Sequence, residues 1–167
     1  MIDRRRLLAI VLLLAASGSG CLLKKPKLPE LPPLPPIVKP PPQLTLNISA
    51  AANANRDPDG KALAVVVRAY ELKSHGVFAK ADFFSLYDHD SAVLGGDLLA
   101  RDELTLAPEQ FLPITRPLNP DATYIGVIVA FRDLDHSRWR EVMRLNPLKD
   151  NNLQIDIGAD AVSIRHQ

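Results

Sequence analysis

Leu44, Leu46 and Ile48 alternate with Thr45, Asn47 and Ser49, the period-2 pattern of a half-buried β-strand. Ala52 to Lys61 follows as a polar run whose Asn, Pro, Asp and Gly residues tolerate turn backbones, which predicts a loop. Leu63 to Leu72 is β-rich again around Val65-Val66-Val67. The period then changes. Over Lys80 to Tyr87, the residues Phe83, Leu86 and Tyr87 fall at i, i+3 and i+4, predicting a short helix packed on a sheet. Gly95-Gly96 marks a break. Strand patterns resume at Glu103–Ala107, with Leu104 and Leu106 on one face, and at Phe111–Arg116, an edge strand because Pro113 is poor in a central one. Thr123–Phe131 is apolar on both faces and reads as a buried central strand. Trp139–Leu145, Leu153–Ile157 and Ala161–Ile164 complete the set. Seven or eight strands with connections of this length, and no recurring crossover helices, predict a mainly β chain folded as an antiparallel two-sheet sandwich with a short helical segment.

The first 42 residues follow different rules. Arg4-Arg5-Arg6, the apolar Leu7 to Ala16 and the small residues Ser17-Gly18-Ser19-Gly20 have the layout of an export signal. The apolar core is too short for a membrane span, which needs about 20 residues. Cys21, the only cysteine, follows at once and cannot form an internal disulfide. It reads either as a lipid attachment point or as a free thiol left by an ordinary signal peptidase. The segment resembles the lipobox of bacterial lipoproteins: Ser19 and Gly20 fit it, while Gly18 stands where such sequences usually carry Leu. The predicted organisation is a cleaved signal at 1–20, a lipidated Cys21 with a linker to 42, and a β-sandwich domain over 43–167.

Nine of the fifteen prolines lie between Pro26 and Pro42. Proline fixes φ and lacks the backbone donor, so the stretch reads as a polyproline II spacer reaching up to roughly 50 Å. The alternative, a Pro-rich ligand for a partner domain, belongs to modules that an exported segment does not ordinarily meet. The run Lys24-Lys25-Pro26-Lys27 fits either an anionic membrane surface or solvated linker charge.

Charge narrows the functional classes. The chain carries 20 basic and 19 acidic residues; the signal removes Arg4, Arg5, Arg6 and Asp3, and most of the linker charge is Lys24, Lys25, Lys27 and Lys39. The β-domain is therefore acidic, with no basic stripe, which argues against a nucleic-acid partner. His75, His89, His136 and His166 lack zinc-ligand spacing. Asp88-His89-Asp90 reads as a solvated helix-to-loop junction before a metal site, and Asp57-Pro58-Asp59-Gly60 as a turn before a calcium loop. Ser85, His89 and Asp97 assemble into a triad only on paper. No small-molecule substrate or catalytic motif is indicated.

Several motifs stand in order along the chain. Asn53-x-x-Arg56-x-Pro58-x-Gly60 precedes Val67-Arg68-Ala69-Tyr70-Glu71-Leu72-Lys73. Then come Asp82-Phe83-Phe84-Ser85-Leu86-Tyr87, Leu94-Gly95-Gly96-Asp97-Leu98-Leu99 and Arg101-Asp102-Glu103. Tyr124-x-Gly126-Val127, Ala130-Phe131-Arg132-Asp133-Leu134 and Arg138-Trp139-Arg140 follow. Together they resemble the outer-membrane lipoprotein of the bacterial type VI secretion system, the TssJ family, over roughly residues 44 to 145. Pro108-Glu109 departs from the family's usual Pro-Gly, and the long proline tether is unusual for it.

The resemblance implies a transthyretin-like sandwich with no catalytic activity and no cofactor beyond a covalent N-terminal lipid, palmitate included, on Cys21. It implies anchoring in the inner leaflet of the outer membrane, with the domain facing the periplasm; Leu22 is not the aspartate that retains lipoproteins in the inner membrane. The implied partner is the periplasmic C-terminal domain of the inner-membrane subunit TssM. The implied contact is the loop between the first two strands: Asn53, Asn55, Arg56, Asp57, Pro58, Asp59, Gly60 and Lys61. That loop is polar enough to be expected at the surface, so replacing Asn55, Arg56 and Asp57 together is expected to cost little stability. Trp139, Phe83, Phe84 and Tyr87 are expected in the core, and Arg68 is expected to pair with Glu103 or Asp133. A periplasmic ligand- or glycan-binding lipoprotein and a lipid-anchored hydrolase are the competing readings.

Overall fold

The computed structural model describes residues 40–167. The signal segment, Cys21 and nearly all of the tether lie outside the described residues. Eight strands form two four-stranded sheets. The first sheet has the order β4-β1-β7-β8, with β1 at Gln43–Ala50, β4 at Phe111–Pro117, β7 at Asn151–Ile157 and β8 at Val162–His166. The second has the order β3-β2-β5-β6, with β2 at Val65–Leu72, β3 at Leu98–Leu106, β5 at Tyr124–Val129 and β6 at Arg140–Arg144. The sandwich is as expected, with one exception to antiparallel pairing: β1 and β7 run parallel. They need no crossover helix, because the chain between them builds the whole second sheet.

The alternation in β1 places Leu44, Leu46, Ile48 and Ala50 between the sheets, with Leu153, Ile155 and Ile157 of β7. Val65, Val67 and Ala69 of β2 and Ile125, Val127 and Val129 of β5 close the core from the other side. β5 is apolar on both faces because its outer face is covered too. Ile128 joins Tyr70 and Leu72 of β2 beneath two helices, α1 at Gly76–Lys80 and α2 at Phe83–Leu94. Pro113 does sit on an edge strand, β4.

The helical segment differs from the single helix predicted over Lys80–Tyr87. Asp82 caps α2, accepting from the Ser85 backbone N–H at 2.9 Å and the Ser85 hydroxyl at 2.6 Å. That capping starts α2 at Phe83, and it runs with a kink at His89 to Leu94. Phe78 anchors the short α1 by lying against Gly126, where an added Cβ would sit 2.7 Å from the ring. Arg140 Nη1 then donates to the carbonyls of Phe78 and Ala81 at 2.8 and 2.6 Å, satisfying the end of that helix. Neither contact has a periodic signature. Strand β3 starts at Leu98, earlier than the predicted Glu103, because Arg101-Asp102-Glu103 reads locally as polar loop.

Candidate functional site

The β1–β2, β3–β4, β5–β6 and β7–β8 connections emerge at one end of the sandwich. Ser49 lies level with Asp156 and Phe111, Val65 with Leu106, and Val67 with Val129. Every residue of the predicted contact loop sits at this end.

The β1–β2 loop has two parts. Its tip is a closed turn: Asp57 Oδ1 accepts from the N–H groups of Asp59 at 3.0 Å and Lys61 at 2.8 Å. Asp57 N–H donates to the Lys61 carbonyl at 2.9 Å, and Gly60 takes the left-handed φ of 83° that the turn requires. Asn53, Arg56, Pro58, Asp59, Gly60 and Lys61 are exposed around this tip, while Asp57 is half-buried.

The base is different, and Asn55 corrects the expectation of a wholly exposed loop. It is only 6% exposed and adopts φ 47°. Its Nδ2 donates to the Ala64 carbonyl at 2.9 Å, and its Oδ1 accepts from the Arg132 backbone N–H at 2.7 Å. One amide thus clamps both ends of the loop and bolts it to the β5–β6 connection. Asn suits the position because it tolerates left-handed backbone and carries both a donor and an acceptor. Replacing Asn55 therefore cannot be neutral for stability, whereas Arg56 is free of such duties.

Beside this clamp lies a hollow of about 140 Å³ lined by Asn55, Arg56, Phe131, Asp133, Ala159 and Asp160. Phe131 forms a buried apolar floor. Hydrogen bonding to the His136 ring, at 2.9 Å, holds the Asp133 carboxyl below its ordinary pKa, and Asp133 in turn raises that of His136. Asp160 is placed by its carbonyl, which accepts from Arg138 N–H at 2.8 Å. Phe131, Arg132, Asp133 and Asp160 therefore join the site. They lie far from the loop in sequence, and only the motif Phe131-Arg132-Asp133 hinted at them. At the neighbouring β3–β4 turn, Glu109 adopts φ 64°, the left-handed conformation that a Gly after Pro108 would take without strain.

The other motif residues gather elsewhere, around the helices on the second sheet. Arg68 pairs with Glu103 at 2.5 Å and donates to the Tyr87 carbonyl; Asp133 is not its partner. Asp90, far from being solvated, is buried and accepts from Arg101 at 2.7 Å. Burial raises the Asp90 pKa, but hydrogen bonds from Arg101 and Ser91 outweigh that and hold it below the ordinary value. Burial pushes the neighbouring Tyr70 hydroxyl up to about 12. Phe83 is buried as expected, stacks on Tyr87 and meets Trp139 edge-on, while Tyr87 and Trp139 are half-buried at the rim of that cluster. Phe84 corrects that expectation: it is 63% exposed, one helical position round from the buried stripe. Between the sheets, Arg116 reaches from β4 to the buried Glu71 and to Asp102. Ser85 serves as a helix-capping partner, and among the described residues no group of three or more His, Cys, Asp or Glu side chains is placed to hold a metal ion.

A family model described as type VI secretion lipoprotein, VasD, EvfM, TssJ, matches residues 42–160. The crystal structure of the type VI secretion lipoprotein TssJ1 from Pseudomonas aeruginosa is similar at 36% identity and TM-score 0.74, covering 77% of this chain and 98% of that one. Lip from Serratia marcescens, a membrane-bound component of the type VI secretion system, is similar at 28% identity and TM-score 0.69, over 76% of this chain and 98% of that one. A chain in the structure of the type VI secretion protein TssM C-terminal domain (869–1107) from EAEC matches at 28% identity and TM-score 0.64, over 75% of this chain and 98% of that one. Among curated proteins none matches.

Proposed function

The chain belongs to the type VI secretion lipoprotein family, and on that premise we propose that it is a non-catalytic adaptor, tethered to the outer membrane through a lipid on Cys21, that binds the periplasmic domain of a TssM-like inner-membrane subunit. The observation that carries this reading is the loop end: an exposed tip with Arg56, Pro58, Asp59 and Lys61, held on a fixed base by Asn55. Pre-organising a loop lowers the entropy cost of binding, so a rigid base beneath exposed polar groups suits a protein partner. The match to a chain in the TssM C-terminal domain structure supports the choice of partner. That chain is almost wholly covered by three-quarters of this one, so it is too short to be the whole 869–1107 segment. The ligand-binding alternative draws no support from the loop-end hollow, which is smaller than the roughly 300–1,000 Å³ of small-molecule sites, and the hollow of about 470 Å³ at the opposite end is wide open to solvent and not an enclosing pocket.

Capture of the periplasmic domain of the TssM-like subunit on the immobilised mature protein tests the adaptor. Retention is expected, and Arg56→Ala with Lys61→Ala should weaken it with the melting temperature unchanged. Failure of the folded protein to capture that domain overturns the reading. Cys21→Ser should move the protein from the membrane pellet to the soluble periplasmic fraction.

A further inference from the structure

Opposite the loop end, the β6–β7 turn displays an apolar residue on a rigid support. Leu148 is 80% exposed, the most exposed large hydrophobic side chain among the described residues. Its turn is pinned from both sides. Asn146 N–H donates to Asn151 Oδ1 at 2.8 Å, and Asn151 Nδ2 donates to the carbonyls of Asn146 at 2.9 Å and Lys149 at 2.8 Å. Leu148 N–H donates to Asn146 Oδ1 at 3.0 Å. Asn151 is itself buried, so the tip is built into the domain and is not a loose loop.

Next to Leu148 lies an open hollow of about 470 Å³ lined by Arg144, Leu145, Asn146, Pro147 and His166. The exposed Arg144 and Lys149 form no ion pair among the described residues, which leaves both cations open to an anion. The neighbouring Asp150 is exposed and keeps its charge while its Oδ1 accepts from Gln43 N–H at 2.8 Å, so Arg144, Lys149 and Asp150 together carry one net positive charge. That bond, and the Leu118 N–H donated to the Pro42 carbonyl at 2.8 Å, show that the chain enters the domain at this same end. The residues preceding Pro42 are those expected to run from the lipidated Cys21.

Resting on the lipid-anchor reading of Cys21, we propose that the 144–149 turn is a second membrane contact, seated on anionic phospholipid. Arg144 and Lys149 take the headgroup phosphate, for which the planar guanidinium fork is suited. Leu148 enters the boundary between headgroups and acyl chains, as apolar residues of interfacial segments do. The contact fixes which end of the domain faces the lipid and leaves the β1–β2 loop pointing away.

The test uses the full acylated protein in vesicles of phosphatidylethanolamine and phosphatidylglycerol. Leu148→Cys carries an environment-sensitive fluorophore, with Asp59→Cys at the opposite end as the reference; Cys21 is the only native cysteine. With brominated lipids the probe at 148 should be blue-shifted and quenched, and the probe at 59 should not. Arg144→Gln or Lys149→Gln should each lower the membrane-buried fraction about fivefold at low salt, and vesicles of phosphatidylcholine alone should lower it too. Protein that floats with the vesicles but shows equal quenching at 148 and 59 overturns the tip while sparing the anchor. Protein that does not float overturns the anchor and the tip with it. Quenching at 148 that ignores both charge removals overturns the headgroup assignment.

Discussion

The helical cap on the second sheet and the β1–β2 loop are both excursions between strands, and they are held in opposite ways. The cap is secured by many contacts: Phe78 against Gly126, Phe83 between Tyr87 and Trp139, Arg140 on two carbonyls, and Asp90 with Arg101. The loop is held only at its base, by the Asn55 amide, by the buried Ala54 and by Leu63 N–H donating to the Ala54 carbonyl at 3.2 Å, with its tip left to close on itself through Asp57. A cap built from distributed packing is an extension of the core. A loop held only at its base keeps most of its side chains available, and that is the arrangement a binding surface needs. Motif residues Asp82–Tyr87, Arg68, Arg101, Trp139 and Arg140 secure the cap, while Asn53, Arg56, Pro58 and Gly60 lie in the proposed contact loop.

The contrast breaks most visibly at Phe78. Phe78→Ala should destabilise the domain by about 3–5 kcal/mol in denaturant unfolding, as for other buried aromatics. A loss under about 1 kcal/mol would show that the cap is not part of the cooperative core. Asn55→Ala should cost about 3 kcal/mol, since it removes the bonds to the Ala64 carbonyl and from the Arg132 N–H and leaves Ala in left-handed backbone. It should also weaken partner capture. Arg56→Ala should stay within about 0.5 kcal/mol in the same assay; equal losses at the two positions would erase the distinction between base and tip.

Asp90→Asn sharpens the electrostatic side of the cap, with a loss of about 2 kcal/mol near neutral pH for a charge-assisted hydrogen bond. The Asp90 pKa is depressed in the folded state. Its stabilisation is therefore present above the ordinary carboxylate value and is lost as pH falls through the folded value. The gap between wild type and variant should close in acid, and a gap constant with pH would mean that packing, not charge, is what the variant removed. The smallest effect is a gain: Glu109→Gly should raise stability by about 0.5–1 kcal/mol by relieving the left-handed strain, read as a shift in the unfolding midpoint.

The strands were legible wherever burial follows a local period. β1 alternates because one face meets the core, and β5 reads as apolar throughout because the sheet covers one face and the cap the other. β3 was seen only in part, since its polar middle is satisfied by Arg68, Arg116 and Asp90, which are distant in sequence. Helix α1 was missed because five residues carry no period and owe their place to Phe78 and Arg140. Of the candidate site, the β1–β2 loop was legible as a loop, but not Asn55 as its clamp: the Arg132 N–H that donates to its Oδ1 is 77 residues away.

The sequence by itself determined the alternation that makes a sandwich and the polar turn at Asp57–Lys61, because each depends on neighbours within a few residues; the export signal, Cys21 as lipid site and the proline spacer are expectations from the sequence that lie outside the described residues. Only the tertiary structure decided that β1 pairs in parallel with β7, that Asn55 is buried while Phe84 is not, and that the β1–β2 loop and the Leu148 turn stand at opposite ends. Those outcomes depend on which distant backbone groups and rings meet, and a hydrogen bond or an aromatic contact across 50 or 100 residues leaves no local period to read.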